Sequence, residues 1–137
     1  MLILAALAGV GLPLLTPTAA NAAYYGSETN YVAISSGPTG DYECASWVGV
    51  TACWKPDGDE FYVRDIQADG HSAVAEWFFD SKYGTDRTGA CVNNLGEGNW
   101  GLCNKDFAEG EIMNWRGARY EGGGLVDHEN TWTWWVT

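Results

Sequence analysis

The sequence predicts an all-β protein, a compact antiparallel β-sandwich or small barrel of about seven or eight short strands with two disulfides. Three observations predict it. The large apolar residues are aromatic, with eight Trp, seven Tyr and four Phe, and beyond residue 22 leucine is confined to Leu95, Leu102 and Leu125. Helical domains lean on Leu and Ala, whereas strands favour aromatic and β-branched side chains. Apolar residues recur with period two along several short runs. Turn signals built from Asp and Gly separate those runs.

Each element can be justified in turn. Ser46 to Trp54 reads as one strand, with Val48, Val50 and Ala52 on one side and Trp47, Thr51 and Cys53 on the other. Asp57-Gly58-Asp59 is a tight-turn signal. Phe61 to Ile66 alternates Phe61 and Val63 against Tyr62 and Arg64, and Asp69-Gly70 turns the chain again. His71 to Phe79 places Ala73, Ala75, Trp77 and Phe79 on a core face, opposite Val74, Glu76 and Phe78. After the polar connection Gly84 to Gly89, strands at Ala90 to Asn93 and Trp100 to Cys103 flank Gly96-Glu97-Gly98 and read as a hairpin. Phe107 to Glu111 has room for one helical turn. Glu111 to Tyr120 is a strand with Gly117 as its bulge. Gly122-Gly123-Gly124 is a flexible turn, and Thr131 to Val136 closes the chain.

Residues 1–22 stand apart from this pattern. Met1 to Val10 is apolar and uncharged, Pro13 and Pro17 break any helix, and Ala20-Asn21-Ala22 is a small-x-small cleavage pattern. This reads as a secretory signal peptide cleaved after Ala22, with its basic n-region expected upstream of Met1. The run is too short and Pro-broken for a spanning anchor, which needs about 20 apolar residues. The expected mature unit, 23–137, is one domain without a Pro- or Ser-rich linker.

Export gives the four cysteines their meaning, because disulfides persist outside the cytoplasm. Four cysteines allow three connectivities. The short spans favour Cys44 with Cys53 and Cys91 with Cys103, each stapling a hairpin or adjacent strands. A bridge closing about ten residues contributes on the order of 2–3 kcal/mol in the chain-entropy model, and a crossed pairing constrains the unfolded chain somewhat more. Zinc needs closer ligand pairs, and His71 and His128 lie far apart. A faint echo joins Cys53-Trp54-Lys55 and Cys103-Asn104-Lys105, each followed by acidic residues and a strand, but only Cys, Lys and the acidic bias recur.

All eighteen acidic and seven basic residues follow residue 22, so the expected mature domain keeps the net charge of −11. That balance argues against nucleic acid, whose phosphates need Lys and Arg, and against anionic membrane surfaces. It suits solubility, a cationic partner or a cation.

The stretch Cys53-Trp-Lys-Pro-Asp-Gly-Asp-Glu-Phe-Tyr-Val-Arg-Asp65, then Ala68-Asp-Gly-His-Ser-Ala-Val-Ala-Glu-Trp77, with Cys91 and Trp100-Gly-Leu-Cys-Asn104, covers about half of the expected mature chain. It resembles small secreted actinobacterial proteins with two cysteine pairs. The resemblance implies secretion, disulfides and a β fold, and it carries no catalytic motif.

Candidate site residues follow from the aromatics. In a terminal strand Trp132, Trp134 and Val136 share one face, expected to be core, and Trp135 projects outward with Thr131 and Thr133. An outward Trp135 is a stacking platform for sugar rings or an anchor at a protein interface. The alternative is that a loop or Tyr24-Tyr25 covers it. Trp115, beside Arg116 and Arg119, is the second candidate for surface recognition, with core packing opposite Met113 as its alternative. Asp57, Asp59 and Glu60, with Asp65 and Asp69 nearby, offer carboxylates of the kind calcium takes. Ordinary turn chemistry is the favoured explanation and calcium the weaker alternative, because the ligand spacing of an EF-hand is absent.

Catalysis has thin support. Asp127-His128-Glu129 is compact, but neighbouring side chains diverge, and Ser72 and His71 would point to opposite faces. Neither G-x-S-x-G nor H-E-x-x-H occurs. The expectation is a monomeric, secreted, non-enzymatic binding domain without a cofactor, contacting another protein or a surface glycan through exposed aromatics. One alternative is an inhibitor of a secreted hydrolase acting through the loop Asn93 to Asn99. Another is a small enzyme using carboxylates or His128. Whether Trp135 and Trp115 form one exposed patch discriminates among these, and burial of both would remove most of the support for the glycan reading.

Overall fold

The computed structural model describes residues 24–137, and the expected signal segment 1–22 lies outside them. Eleven strands form: β1 Glu28–Tyr31, β2 Ala33–Ser35, β3 Glu43–Trp47, β4 Val50–Lys55, β5 Glu60–Asp65, β6 Ser72–Asp80, β7 Arg87–Asn93, β8 Trp100–Asn104, β9 Ile112–Glu121, β10 Gly124–His128 and β11 Thr133–Val136. They make two sheets packed as a sandwich. The six-stranded sheet runs β1-β7-β6-β9-β10, with β11 also on β9, and the five-stranded sheet runs β2-β8-β5-β4-β3.

The strand number exceeds the expected seven or eight for local reasons. The run Ser46 to Trp54 is not one strand. It folds back at Val48-Gly49, where Gly49 has φ +76°, and β3 pairs antiparallel with β4. Glycine adopts that left-handed conformation without a Cβ penalty. Residues 24–35, which carry no strong alternation, supply β1 and β2. β1 pairs parallel to β7, an exception to the expected antiparallel order, and the chain then crosses at Val32 to pair β2 with β8.

Other expectations hold or shift for specific reasons. Ala73, Ala75, Trp77 and Phe79 do face the core, together with Val50, Ala52, Trp54, Phe61, Val63, Met113 and Trp115. Phe107 begins no helical turn; it lies in the β8–β9 connection and plugs the core. Its ring stands 5.2 Å from Trp77 and 4.8 Å from Phe79, centroid to centroid. Burying aromatic side chains of this size stabilises the fold by about 1.5–3 kcal/mol each. Gly117 is not a bulge, since it pairs in register with Ala75. A Cβ there would stand 3.3 Å from the Trp47 Cβ, so glycine lets the two sheets approach. The bulge falls instead in β10, between Leu125 and Asp127.

The two disulfides join the expected partners in different settings. Cys44 and Cys53 are opposite each other in the β3–β4 hairpin. Cys91 and Cys103 do not staple a hairpin. β7 belongs to the six-stranded sheet and β8 to the other, so this bridge ties the two sheets together through the core. The echo around the cysteines thus has no common architecture. Beside the second bridge, fully buried Asn93 donates to the carbonyls of Val63 (2.8 Å) and Asn99 (2.9 Å) and accepts from the Leu95 amide.

Candidate functional site

The outer face of the six-stranded sheet is partly covered by the chain's own first described residues. Val74, Ala90, Val92, Ala118 and Tyr120 form a small second core there, with Tyr24 packed over it. Tyr24 stacks on Tyr120 at 4.8 Å. Glu76, expected opposite the core, is nevertheless buried. It accepts a 2.7 Å bond from Arg116 Nε and a short bond from the Tyr120 hydroxyl, which in turn accepts from the Tyr25 amide. A buried carboxylate needs such partners to offset desolvation. Burial, then the bond to Glu76, pushes the Tyr120 hydroxyl pKa well up, so it stays a proton donor.

Along the same face toward the strand ends, the register builds an aromatic cleft. Phe78 on β6, Asn114 on β9 and Trp134 on β11 lie side by side on one rung. Asp80, Ile112 and Val136 form the rung beyond it. With strands about 4.8 Å apart, Phe78 and Trp134 flank a trough about 10 Å wide with Asn114 between them. On the other side of the Phe78 rung, Arg116 lies 4.3 Å from the Trp132 ring centre and 5.6 Å from that of Tyr25. Tyr25, Phe78, Asp80, Asn114 and Trp132 enclose a shallow cleft of about 410 Å³. Asn114 Nδ2 donates weakly to the Phe78 carbonyl at 3.3 Å. Burial raises the Tyr25 hydroxyl pKa, with Arg116 opposing, so the hydroxyl is neutral.

This arrangement reverses the expected facing of the terminal strand. Trp135 pairs with Met113 and Thr133 with Trp115, both core positions of β9, so Trp135 turns inward and packs against the core. Trp134 is 64% exposed and Val136 48%. Half-buried Trp132 packs on Arg116 and Tyr25 instead of entering the core. Trp115 is fully buried and donates its indole N–H to the Ala52 carbonyl at 3.0 Å, so it offers no contact surface. Trp135 and Trp115 therefore form no exposed patch, and the glycan surface expected at these two residues is not there; Trp134 is the open tryptophan instead. Arg116 is committed to Glu76 and the rings. Arg119 is committed to Asp69 (2.7 Å) and Asp127 (2.6 Å), and its hydrogen bonds hold the Asp127 carboxyl below the usual range despite burial.

Part of the acidic turn is engaged in its own chemistry, although the buried Asp59 Oδ1 has no hydrogen-bond partner among the described residues. Asp59, at φ +54°, accepts from the Phe107 amide, and Glu60 accepts from Lys55 and the Tyr62 hydroxyl. Among the described residues no three His, Cys, Asp or Glu side chains gather at a metal-sized site. Asp127 turns to Arg119, and His128 Nδ1 meets the Glu129 carbonyl at 2.9 Å, so the polar triplet diverges. A second cleft, of about 260 Å³, lies between the β5–β6 and β7–β8 connections and includes Asp65, His71, Ser72 and Glu97. The β7–β8 loop itself is pinned from within, since the Asn99 amide donates to the carbonyls of Leu95 (3.1 Å) and Gly96 (3.3 Å).

The sequence reading missed Tyr25, Phe78, Asp80, Asn114 and Trp134 as one group. Their common face was partly readable, since Phe78 and Asp80 alternate with the core face of β6. Their convergence depends on the pairing of β9 with both β6 and β11 and on the return of the Tyr25 segment to this face. Comparison with known proteins finds no matching family model, curated protein or solved structure.

Proposed function

We propose that this chain is a secreted, non-enzymatic binding domain that contacts a glycan through the outer face of its six-stranded sheet. The observation that carries the reading is the open Trp134 ring beside an aromatic cleft edged by a carboxylate and an amide. Flat rings stack on sugar faces, while Asp80 and Asn114 provide hydrogen-bonding groups for hydroxyls. The two disulfides are compatible with an extracellular setting. Tryptophan fluorescence titration and co-sedimentation against a polysaccharide panel test it. Binding that falls at least about tenfold in Trp134→Ala, a loss of about 1.4 kcal/mol, supports the reading. No spectral change and no co-sedimentation with any glycan overturns it.

A second reading, inhibition of a secreted hydrolase, is favoured by one observation: the internally bonded β7–β8 loop, anchored by Asn93 and Asn99. Rigidity lowers the entropy lost on binding. Activity assays of secreted hydrolases with a molar excess of the domain test it, and no loss of activity in any of them removes it.

A further inference from the structure

We infer that the glycan is an amino-sugar chain carrying free ammonium groups, seated in the Tyr25–Phe78–Trp132 cleft with an ammonium against Asp80. This rests on the glycan reading and names its substrate class. Asp80 is exposed, lines the cleft, and takes part in none of the salt bridges among the described residues. The residues lining the cleft include no Lys or Arg. Arg116, against two of its rings, is bound by Glu76 and covered by Trp132 and Tyr25, and Lys82 is exposed outside the lining, over the Tyr83 ring at 5.0 Å. The cleft thus offers an anionic or sulfated sugar no free positive partner, and the chain's net charge of −11 repels it.

The same features favour a cation. Ring faces attract ammonium groups, most strongly those of Trp. Two rings of this cleft already hold one cation, the Arg116 guanidinium. A carboxylate beside such rings adds a charge-assisted hydrogen bond. A neutral sugar would use the rings and leave Asp80 without an ionic partner. An amino sugar uses both.

The test compares glucosamine oligomers with their fully N-acetylated counterparts and with neutral glucose oligomers of equal length, by fluorescence titration of the mature protein. The expected result is at least about tenfold tighter binding of the free-amine oligomer, equivalent to about 1.4 kcal/mol. That preference should disappear in Asp80→Asn and shrink near 1 M salt, where the Debye length falls to about 3 Å. Asp80 is exposed, so Asp80→Asn is expected to leave the fold intact, and a circular dichroism melt checks this. Equal affinity for all three oligomers, or a preference unchanged in Asp80→Asn, overturns the ammonium assignment and leaves the glycan reading standing. Binding of none of the three overturns the assignment, and the wider polysaccharide panel then decides the glycan reading.

Discussion

Two tryptophans near each other in the six-stranded sheet have opposite roles. Trp115 fills the core and bonds to Ala52, whereas Trp134 stands in solvent. Trp115→Ala is expected to cost about 3–5 kcal/mol, as large-to-small core changes do. Trp134→Ala should stay within about 0.5 kcal/mol of wild type in urea unfolding while weakening ligand binding. Equal destabilisation by the two would contradict the burial described above. A third residue sets an acid response. Bonds from Arg87, and then Lys105, outweigh desolvation and lower the Glu28 carboxyl from 4.5 to about 2. A depressed carboxyl stabilises the fold fully above its unfolded value and loses that contribution as pH falls through the folded value. Wild type should therefore exceed Glu28→Gln in stability at neutral pH. The gap should close between about pH 4.5 and about pH 2 in denaturant titrations at stepped pH. None of these roles follows from residue type. That Trp115 could pack in the core was legible in the sequence, but the choice between core and surface was not, and Met113 proved to share its face of β9.

The elements differ in how much of them was local. β5, β6 and β9 were legible because their alternation is long and one face is continuously apolar. The β3–β4 hairpin was hidden, since Val48-Gly49 carries no Asn-Gly or Asp-Gly signal and the alternation runs through it. β11 is the instructive case. Alternation shows that Trp132, Trp134 and Val136 share a face, but only register against Met113 and Trp115 shows which face is core. The disulfides lead to a prediction at this scale. Their loops are similar, with sequence separations of 9 and 12. Chain entropy alone thus gives each about 2.5–3 kcal/mol. Cys91 and Cys103 both lie in the main core and join the sheets, whereas Cys53 is buried outside that core and Cys44 is half-buried, so removing the first pair leaves the larger cavity. Cys91→Ala/Cys103→Ala should destabilise the fold by about 1 kcal/mol or more beyond Cys44→Ala/Cys53→Ala in urea titrations. Equal losses would mean that joining the two sheets adds nothing beyond what the hairpin bridge contributes.

The whole molecule is a sandwich closed on one side by the chain crossing from β1 to β2 at Val32, and fastened within by Cys91–Cys103 and Asn93. Its net charge of −11 is spread over a small body, so self-repulsion opposes folding. Raising salt from about 0.01 to 0.15 M shortens the Debye length from about 30 to 8 Å. Tm should then rise by a few degrees, as followed by circular dichroism. A fall would mean that the surface ion pairs outweigh the repulsion, contrary to their usual small worth.

The sequence by itself determined the all-β class and the core face of β6, whereas for the disulfides it only favoured a pairing and left the crossed one open. The class and the core face rest on composition and period-two alternation, which neighbouring residues carry, and the favoured pairing rests on the short spans between cysteines. Only the tertiary structure decided that Cys91–Cys103 ties sheet to sheet, that Trp135 turns inward and that Trp134 opens beside the Tyr25–Phe78–Trp132 cleft. The physical reason is that alternation is a local property, whereas sheet membership and register are set by strands far apart in the chain.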